Sequence, residues 1–117
     1  TAADTVCMDG SIANKVGTYQ YALAAYANNL PYYVLRQSGP DMENINSDSV
    51  IIEERSGDDL LHLEGKKFAP DGVLGLYPCF DITPPELVSA IITDRGIFDS
   101  NKIKNYIDAK SFLSNQI

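Results

Sequence analysis

The chain has 117 residues, 44% of them hydrophobic and 21% charged, and sixteen Asp and Glu against nine Lys and Arg leave a formal charge of -7. That length suits one domain, the composition is neither disordered nor fibrous, and no apolar run approaches the ~18 residues of a membrane span. The acidic balance argues against a broad nucleic-acid or anionic-membrane surface, which needs clustered cations, but not against a phosphate held locally by a few groups. Cys7 and Cys79 are the only cysteines, too few for a disulfide scaffold; they read as two reduced thiols of a cytoplasmic protein.

Thr1-Ala2-Ala3-Asp4 runs straight into a Gly-containing loop, without the full strand that should precede it in an α/β unit. The N-terminus therefore reads as a cut within a domain, and the chain as a fragment expected to leave apolar surface uncovered. Asp9-Gly10-Ser11 is turn chemistry. From Lys15 to Asn29 the spacing predicts a helix, with Val16, Tyr19, Leu23 and Tyr26 recurring at three and four residues and four alanines adding propensity. Asn28-Asn29 should stop it, because Asn tolerates the left-handed conformation. Pro31-Tyr32-Tyr33-Val34-Leu35 then reads as a buried parallel strand reached by a helical crossover.

Gln37 to Ser49 is polar and punctuated, hence an exposed loop, and loops at the carboxyl ends of parallel strands are where open α/β sheets keep ligands. Val50-Ile51-Ile52 is a short extended piece. Asp58 to Phe68 fits either a helical turn or a hairpin around Glu64-Gly65, and Val73-Leu74-Gly75-Leu76-Tyr77 reads as another buried strand. Thr83, Pro84 and Glu86 resemble an N-cap, first helical position and capping box for a helix carrying Leu87, Val88, Ile91 and Ile92 and ending at Gly96. A last helix starts after Asp99 or Ser100 and carries Ile103, Tyr106, Ile107 and Phe112. The fold class that follows is α/β, the C-terminal half of a Rossmann-like, doubly wound parallel sheet.

Candidate chemistry concentrates in the first fifteen residues. Asp4 lies where a strand should end and Asn14-Lys15 where a helix should begin, two positions that face one crevice in an open parallel sheet. Lys15 and Asn14 at a helix N-terminus would hold a phosphate through free N–H groups and partial positive charge, and Asp4 would serve there as a general acid or base. The alternative reading of each is plain: Asp4 as a loop cap, Asn14 as an N-cap, Lys15 as an ordinary surface residue.

The run Asp9-Gly10-Ser11-Ile12-Ala13-Asn14-Lys15-Val16-Gly17-Thr18-Tyr19 resembles a motif of the methylthioribose-1-phosphate isomerases and the related initiation factor 2B regulatory subunits. The likeness continues in register through Pro31-Tyr32-Tyr33-Val34 and Ile52-Glu53-Glu54-Arg55. It then takes in Pro78, Phe80-Asp81-Ile82-Thr83-Pro84 and Ala90-Ile91-Ile92-Thr93-Asp94-Arg95-Gly96. The resemblance implies a helical N-terminal region followed by a Rossmann-like domain, usually dimeric, of which this chain is the second half. It implies an aldose–ketose isomerase of a phosphorylated pentose, with no metal or organic cofactor. The aspartate matching Asp4 is then the proton donor and Asn14 with Lys15 the substrate contacts. Ring opening of a sugar 1-phosphate calls for protonation of the ring oxygen, for which a carboxylic acid in an apolar pocket is suited.

In that family a cysteine upstream moves hydrogen between C2 and C1; neither Cys7 nor Cys79 matches it, so both read as packing residues and the chain alone as an incomplete enzyme. The sequence departs from the family pattern in three places. Ala2-Ala3-Asp4-Thr5 stands for Gly-Ala-Asp-Arg, Tyr77-Pro78-Cys79-Phe80-Asp81 for Asn-Pro-Ala-Phe-Asp, and Arg36 to Asp41 for the usual loop. Pro84-Pro85-Glu86 is shared with relatives acting on ribose 1,5-bisphosphate, which keeps that sugar open beside methylthioribose 1-phosphate; the remaining alternative is a non-catalytic regulatory subunit. Glu53, Glu54 and Arg55 read as an ion-pair network fixing a loop, and Asp81 as the residue that starts the helix after it or lines the pocket. His62 has no partner at ligand spacing, which argues against a metal.

Overall fold

Short strands tied together by sequence-distant pairing dominate this computed structural model, which describes residues 1–110. In chain order these are β1 (Thr5–Val6), β2 (Ile12–Lys15), the helix α1 (Thr18–Ala27) and β3 (Tyr33–Leu35). A 3-10 turn at Ser47–Ser49 leads to β4 (Glu54–Arg55), a second at Gly57–Leu60 to β5 (His62–Leu63), then β6 (Lys66–Lys67) and β7 (Tyr77–Pro78). β8 (Phe80–Thr83), a 3-10 turn at Pro85–Leu87, β9 (Ala90–Thr93), β10 (Gly96–Asp99) and a 3-10 run at Ser100–Asp108 follow.

The architecture is mixed α/β built from small sheets. β1, β2 and β8 form an antiparallel sheet with β2 in the middle, and β10, β9 and β3 form another with β9 in the middle. Parallel pairing joins β3 to β9, and a parallel bridge joins Ala2 to Leu35. The Thr1 ammonium donates to the Tyr33 carbonyl at 3.0 Å, and the Leu35 N–H to the Thr1 carbonyl at 2.8 Å, so the first residues lie as a strand beside β3. The crossover from there through α1 to β3 is the βα unit that the sequence suggests. Val6, Ile12, Ala22, Tyr32, Val34, Val88, Ile91 and Ile103 form the core between the two sheets, α1 and the last 3-10 run.

Several local expectations hold for the reasons that generated them. Asn29 is left-handed at φ 55°, and the N–H groups of Asn29 and Leu30 bond back to Tyr26 and Ala25, a Schellman stop for α1. Both readings of residues 58 to 68 are present in succession: a 3-10 turn, then a hairpin whose Glu64-Gly65 corner has two positive φ angles, as a two-residue hairpin turn of this hand requires. The 37–49 stretch is loop, with a turn at Met42-Glu43 closed by the Asn44 N–H on the Asp41 carbonyl and the 3-10 turn Ser47–Ser49 inside it.

Others are corrected. The helix expected to be capped by Thr83 and to end at Gly96 is a single 3-10 turn followed by β9, with Gly96 opening β10. Leu87, Val88, Ile91 and Ile92 satisfy a helical and an extended reading equally over so short a run, and the slot between β3 and β10 decides for the strand, where Ile91 is fully buried opposite Val34 and Phe98. Thr83 is not a cap but the buried last residue of β8. Lys15 ends a strand, and α1 begins three residues later. The helix also turns the other way round: Thr18 and Ala22 are buried and Ala25 packs on the core, whereas Tyr19, Leu23 and Tyr26 are exposed. Small residues let α1 lie close against its neighbours, which displaces the larger side chains outward. The last segment is 3-10 and not α, and Phe112 lies outside the described residues.

Residues 50 to 78 pair chiefly with one another, through β4 with β7 and β5 with β6. Val73 to Tyr77 is no buried strand: Leu74 is 92% exposed and only Tyr77 enters a ladder. Gly57 and Gly75 pass so closely that a β-carbon on either would meet the backbone of the other. With this arm the radius of gyration is 17.4 Å, against about 13 Å for a compact unit of the same length. We expect Ile91→Ala to destabilise the chain by about 2–5 kcal/mol, and Ile97→Ala, on the exposed side of the neighbouring strand, by less than about 0.5 kcal/mol; urea melts followed by circular dichroism compare the two.

Candidate functional site

β2 sets the geometry of the candidate residues. Ile12 and Ala13 are buried, Asn14 is half-buried and Lys15 is exposed, so the strand runs outward from the core as it approaches α1. On one side Ala13 pairs with Thr5, and the Asp4 N–H donates to the Ala13 carbonyl at 3.0 Å, which holds the Asp4 backbone against β2. On the other side Asn14 pairs with Asp81, although 67 residues separate the two in sequence.

Paired residues of an antiparallel ladder project from the same face, so Asn14 and Asp81 share one. Lys15 leaves from the other, next to Phe80. The structure therefore fastens the Asp4 backbone to β2 at Ala13 and sends Lys15 from the face opposite Asn14. Asn14 Nδ2 donates to Thr18 Oγ1 at 3.2 Å, and Thr18 Oγ1 donates to the Lys15 carbonyl at 2.7 Å, which ties the end of β2 to the first turn of α1. Asp4 is exposed, and its carboxylate has no hydrogen-bond partner among the described residues.

The start of α1 is not an open anion site. Gly17 occupies the N-cap position at φ 106°, the first turn has no acidic residue of its own, and the Asp81 carboxylate supplies the missing acceptors. One oxygen takes the Gly17 N–H at 2.7 Å and the other the Tyr19 N–H at 3.1 Å. A phosphate at this helix end would meet a carboxylate already in place, so the expectation that Asn14 and Lys15 sit on free helix N–H groups is corrected. Asp81 caps a helix 62 residues upstream, not one that follows it. The signal available in the sequence was negative: Lys15-Val16-Gly17 offers α1 no capping side chain.

A second set of polar residues surrounds the approach to β1. Asp9 Oδ1 accepts from the Ser11 N–H at 2.9 Å and the Ser11 hydroxyl at 2.5 Å, closing the Asp9-Gly10-Ser11 turn. Arg36, just past β3, pairs with Asp41 at 2.8 Å and donates to the Asp4 carbonyl at 2.6 Å. Arg55 lies 3.7 Å from Glu53, both half-exposed, and it is the backbone bond from the Cys79 N–H to the Glu53 carbonyl at 2.8 Å that ties the arm to the residue before β8. His62 is exposed, with Nδ1 2.9 Å from the Asp58 carbonyl, and no group of three or more metal-binding side chains converges among the described residues. A cleft of about 440 Å³ lined by Pro85, Glu86, Val88, Ser89, Asp99, Ser100 and Asn101 contains none of the candidate residues. No helix among the described residues is long and apolar enough to cross a membrane.

Cys7 and Cys79 are both buried free thiols, as expected of packing residues. Burial pushes the Cys7 thiol above its usual range, against a lowering hydrogen bond with Ser11 and with Asp9 and Asp41 adding to the rise. The folded chain thus keeps this proton after the unfolded chain has lost it. Stability from this source is complete below about pH 8.5 and falls as pH climbs through the raised value. Urea melts at pH 7 and pH 9.5 should show a loss of stability that Cys7→Ala reduces. Removing the cap by Asp81→Asn should cost about 0.5–2 kcal/mol, and Gly17→Ala about 1–2 kcal/mol because of its left-handed backbone, both read as shifts in the thermal midpoint.

The initiation factor 2 subunit family model matches residues 1–100. The chain is 45% identical over 96 residues to the methylthioribose-1-phosphate isomerase of Roseiflexus sp. (strain RS-1), covering 81% of this chain and 27% of that protein. It is 41% identical over 109 residues to the enzyme of the same name from Acetivibrio thermocellus, covering 89% and 32%. Among solved structures, the 5-methylthioribose 1-phosphate isomerase of Pyrococcus horikoshii OT3 superposes with a TM-score of 0.79 at 36% identity, over 92% of this chain and 30% of that one. The translation initiation factor eIF-2B delta subunit from A. fulgidus superposes with a TM-score of 0.72 at 35% identity, over 84% and 28%. The chain thus spans 27% to 32% of the length of these relatives. With most of its length matched by the family model and by both kinds of structure, the chain belongs to the initiation factor 2 subunit family.

Proposed function

We propose that this chain is the C-terminal part of an aldose–ketose isomerase that converts S-methyl-5-thioribose 1-phosphate to S-methyl-5-thioribulose 1-phosphate, a step of methionine salvage. The observation that carries the reading is the backbone bond from Asp4 to Ala13, which fastens the backbone of Asp4, whose carboxylate is exposed, to β2 at the residue before Asn14. Relatives named methylthioribose-1-phosphate isomerase support it. The complete domain is then a Rossmann-like wound sheet to which the Ala2–β3–β9 ladder belongs, and the working protein a cytoplasmic homodimer.

The chemistry follows from the substrate. Phosphate on the anomeric oxygen blocks spontaneous ring opening, so the ring oxygen must take a proton as its bond to C1 breaks. Asp4 supplies that proton. Hydrogen then passes from C2 to C1, and loss of the C2 hydroxyl proton completes the ketone and restores the acid, so the reaction is balanced without an oxidant. Asn14, held by Thr18, orients the sugar; Lys15 leaves β2 from its other face and is assigned no contact with that ring. The hydrogen shift itself falls to a group outside this chain, since both cysteines here are buried.

The test is turnover of methylthioribose 1-phosphate and ribose 1,5-bisphosphate by the full-length protein, before and after Asp4→Asn. We expect kcat to fall on the order of 10²- to 10⁴-fold, the usual contribution of a positioned acid; undiminished turnover would remove Asp4 from the mechanism. The similarity to the eIF-2B delta subunit favours one second reading, a regulatory subunit without catalysis, and the absence of wild-type turnover on either sugar would select it.

A further inference from the structure

On the isomerase reading above, we infer that Arg36 and Asp41 are positioning residues for Asp4, clamping its backbone so that the carboxyl group is presented to the sugar ring from a fixed point. Arg36 directly follows β3, and its own N–H is anchored on the Ile92 carbonyl at 2.9 Å. Each of its three guanidinium nitrogens is engaged: Nη1 donates to the Asp4 carbonyl at 2.6 Å, Nη2 to Asp41 Oδ1 at 2.8 Å, and Nε to Ser38 Oγ at 3.3 Å. Asp41 in turn holds β1. Its second oxygen accepts from the Val6 N–H at 3.1 Å, and its own N–H donates to the Val6 carbonyl at 2.8 Å. The Arg36 and Asp41 side chains are 17% and 24% exposed.

Asp4 is therefore fastened at both of its peptide groups, the N–H to Ala13 in β2 and the carbonyl to Arg36. Only its side-chain torsions stay free. Arg36 is 17% exposed and its charge is already paired with Asp41, so in this proposal it acts through Asp4 and not on the substrate. The planar fork matters, because a lysine at this position reaches the Asp4 carbonyl or Asp41 but not both. Misplacing a reacting group by about 1 Å costs on the order of 100-fold in rate, so loosening this clamp is expected to appear in kcat.

The experiment measures kcat and KM of the full-length protein on methylthioribose 1-phosphate and ribose 1,5-bisphosphate. The variants are Arg36→Gln, Arg36→Lys and Asp41→Asn, each alone and combined with Asp4→Asn, with circular dichroism to confirm folding. We expect Arg36→Gln to lower kcat about 10- to 100-fold with KM changed less than about threefold, and Arg36→Lys to recover part of the loss. In the Asp4→Asn background the same substitutions should produce no further loss; if that residual rate is too small to measure, the kcat-against-KM split and the lysine recovery decide. Unchanged kcat in Arg36→Gln, a rise in KM alone, or an equal loss in both backgrounds would overturn the positioning role. If Arg36→Gln does not fold, Asp41→Asn and Arg36→Lys are read by the same criteria. Full activity of Asp4→Asn sinks the isomerase acid itself; an inactive Asp4→Asn beside a fully active Arg36→Gln sinks only the clamp.

Discussion

The pairing of β2 between β1 and β8 is the constraint on which the candidate site depends. It is a short ladder, four residues on one side and two on the other, yet it joins the start of the chain to residues 80–83. Through it the Asp4 backbone is tied to β2 and Asn14 is set opposite Asp81, and through Asp81 the same ladder holds the first turn of α1. Strand pairing of this kind fixes lateral spacing at about 5 Å, so the distance between an acid on one strand and an amide on the next is set by backbone hydrogen bonds before any side chain is chosen.

Charge is arranged to suit that ladder. The chain is acidic overall, but its best-ordered carboxylates are engaged. Asp81 takes two helix N–H groups, Asp41 takes Arg36 and Val6, and Asp9 closes a turn through Ser11. Each accepts from a backbone or charged donor. Asp4 has no such donor among the described residues: its backbone is held while its side chain is exposed, so these residues do not enclose it in the apolar pocket expected of the acid.

The arm from residue 50 to 78 obeys a different rule. Its strands are two residues long and pair within the arm, Leu61 is its one buried side chain, and the backbones of Gly57 and Gly75 supply the close approach that side chains supply in the core. A hydrophobic side chain such as Leu74 therefore contributes nothing to this unit's own core, whatever its sequence neighbourhood suggests.

Local features were legible in the sequence wherever local chemistry decides them. Asn28-Asn29 ends α1 because Asn tolerates left-handed backbone, Glu64-Gly65 turns a hairpin because both residues accept positive φ, and Asp9-Gly10-Ser11 closes a loop through its own side chains. The ten-residue step from Asp4 to Asn14 and the four motifs in register were enough to place the family, since family membership lives in residue order. What only the tertiary structure decided is every choice between equal local options. Leu87 to Ile92 became a turn and a strand because β3 and β10 left a slot for one. α1 buried its alanines and exposed its tyrosines because close approach favours small residues. Asp81 caps a helix 62 residues away, and Arg36 holds Asp4 across 32, because hydrogen bonds form between groups that packing brings together, and sequence separation carries no information about them.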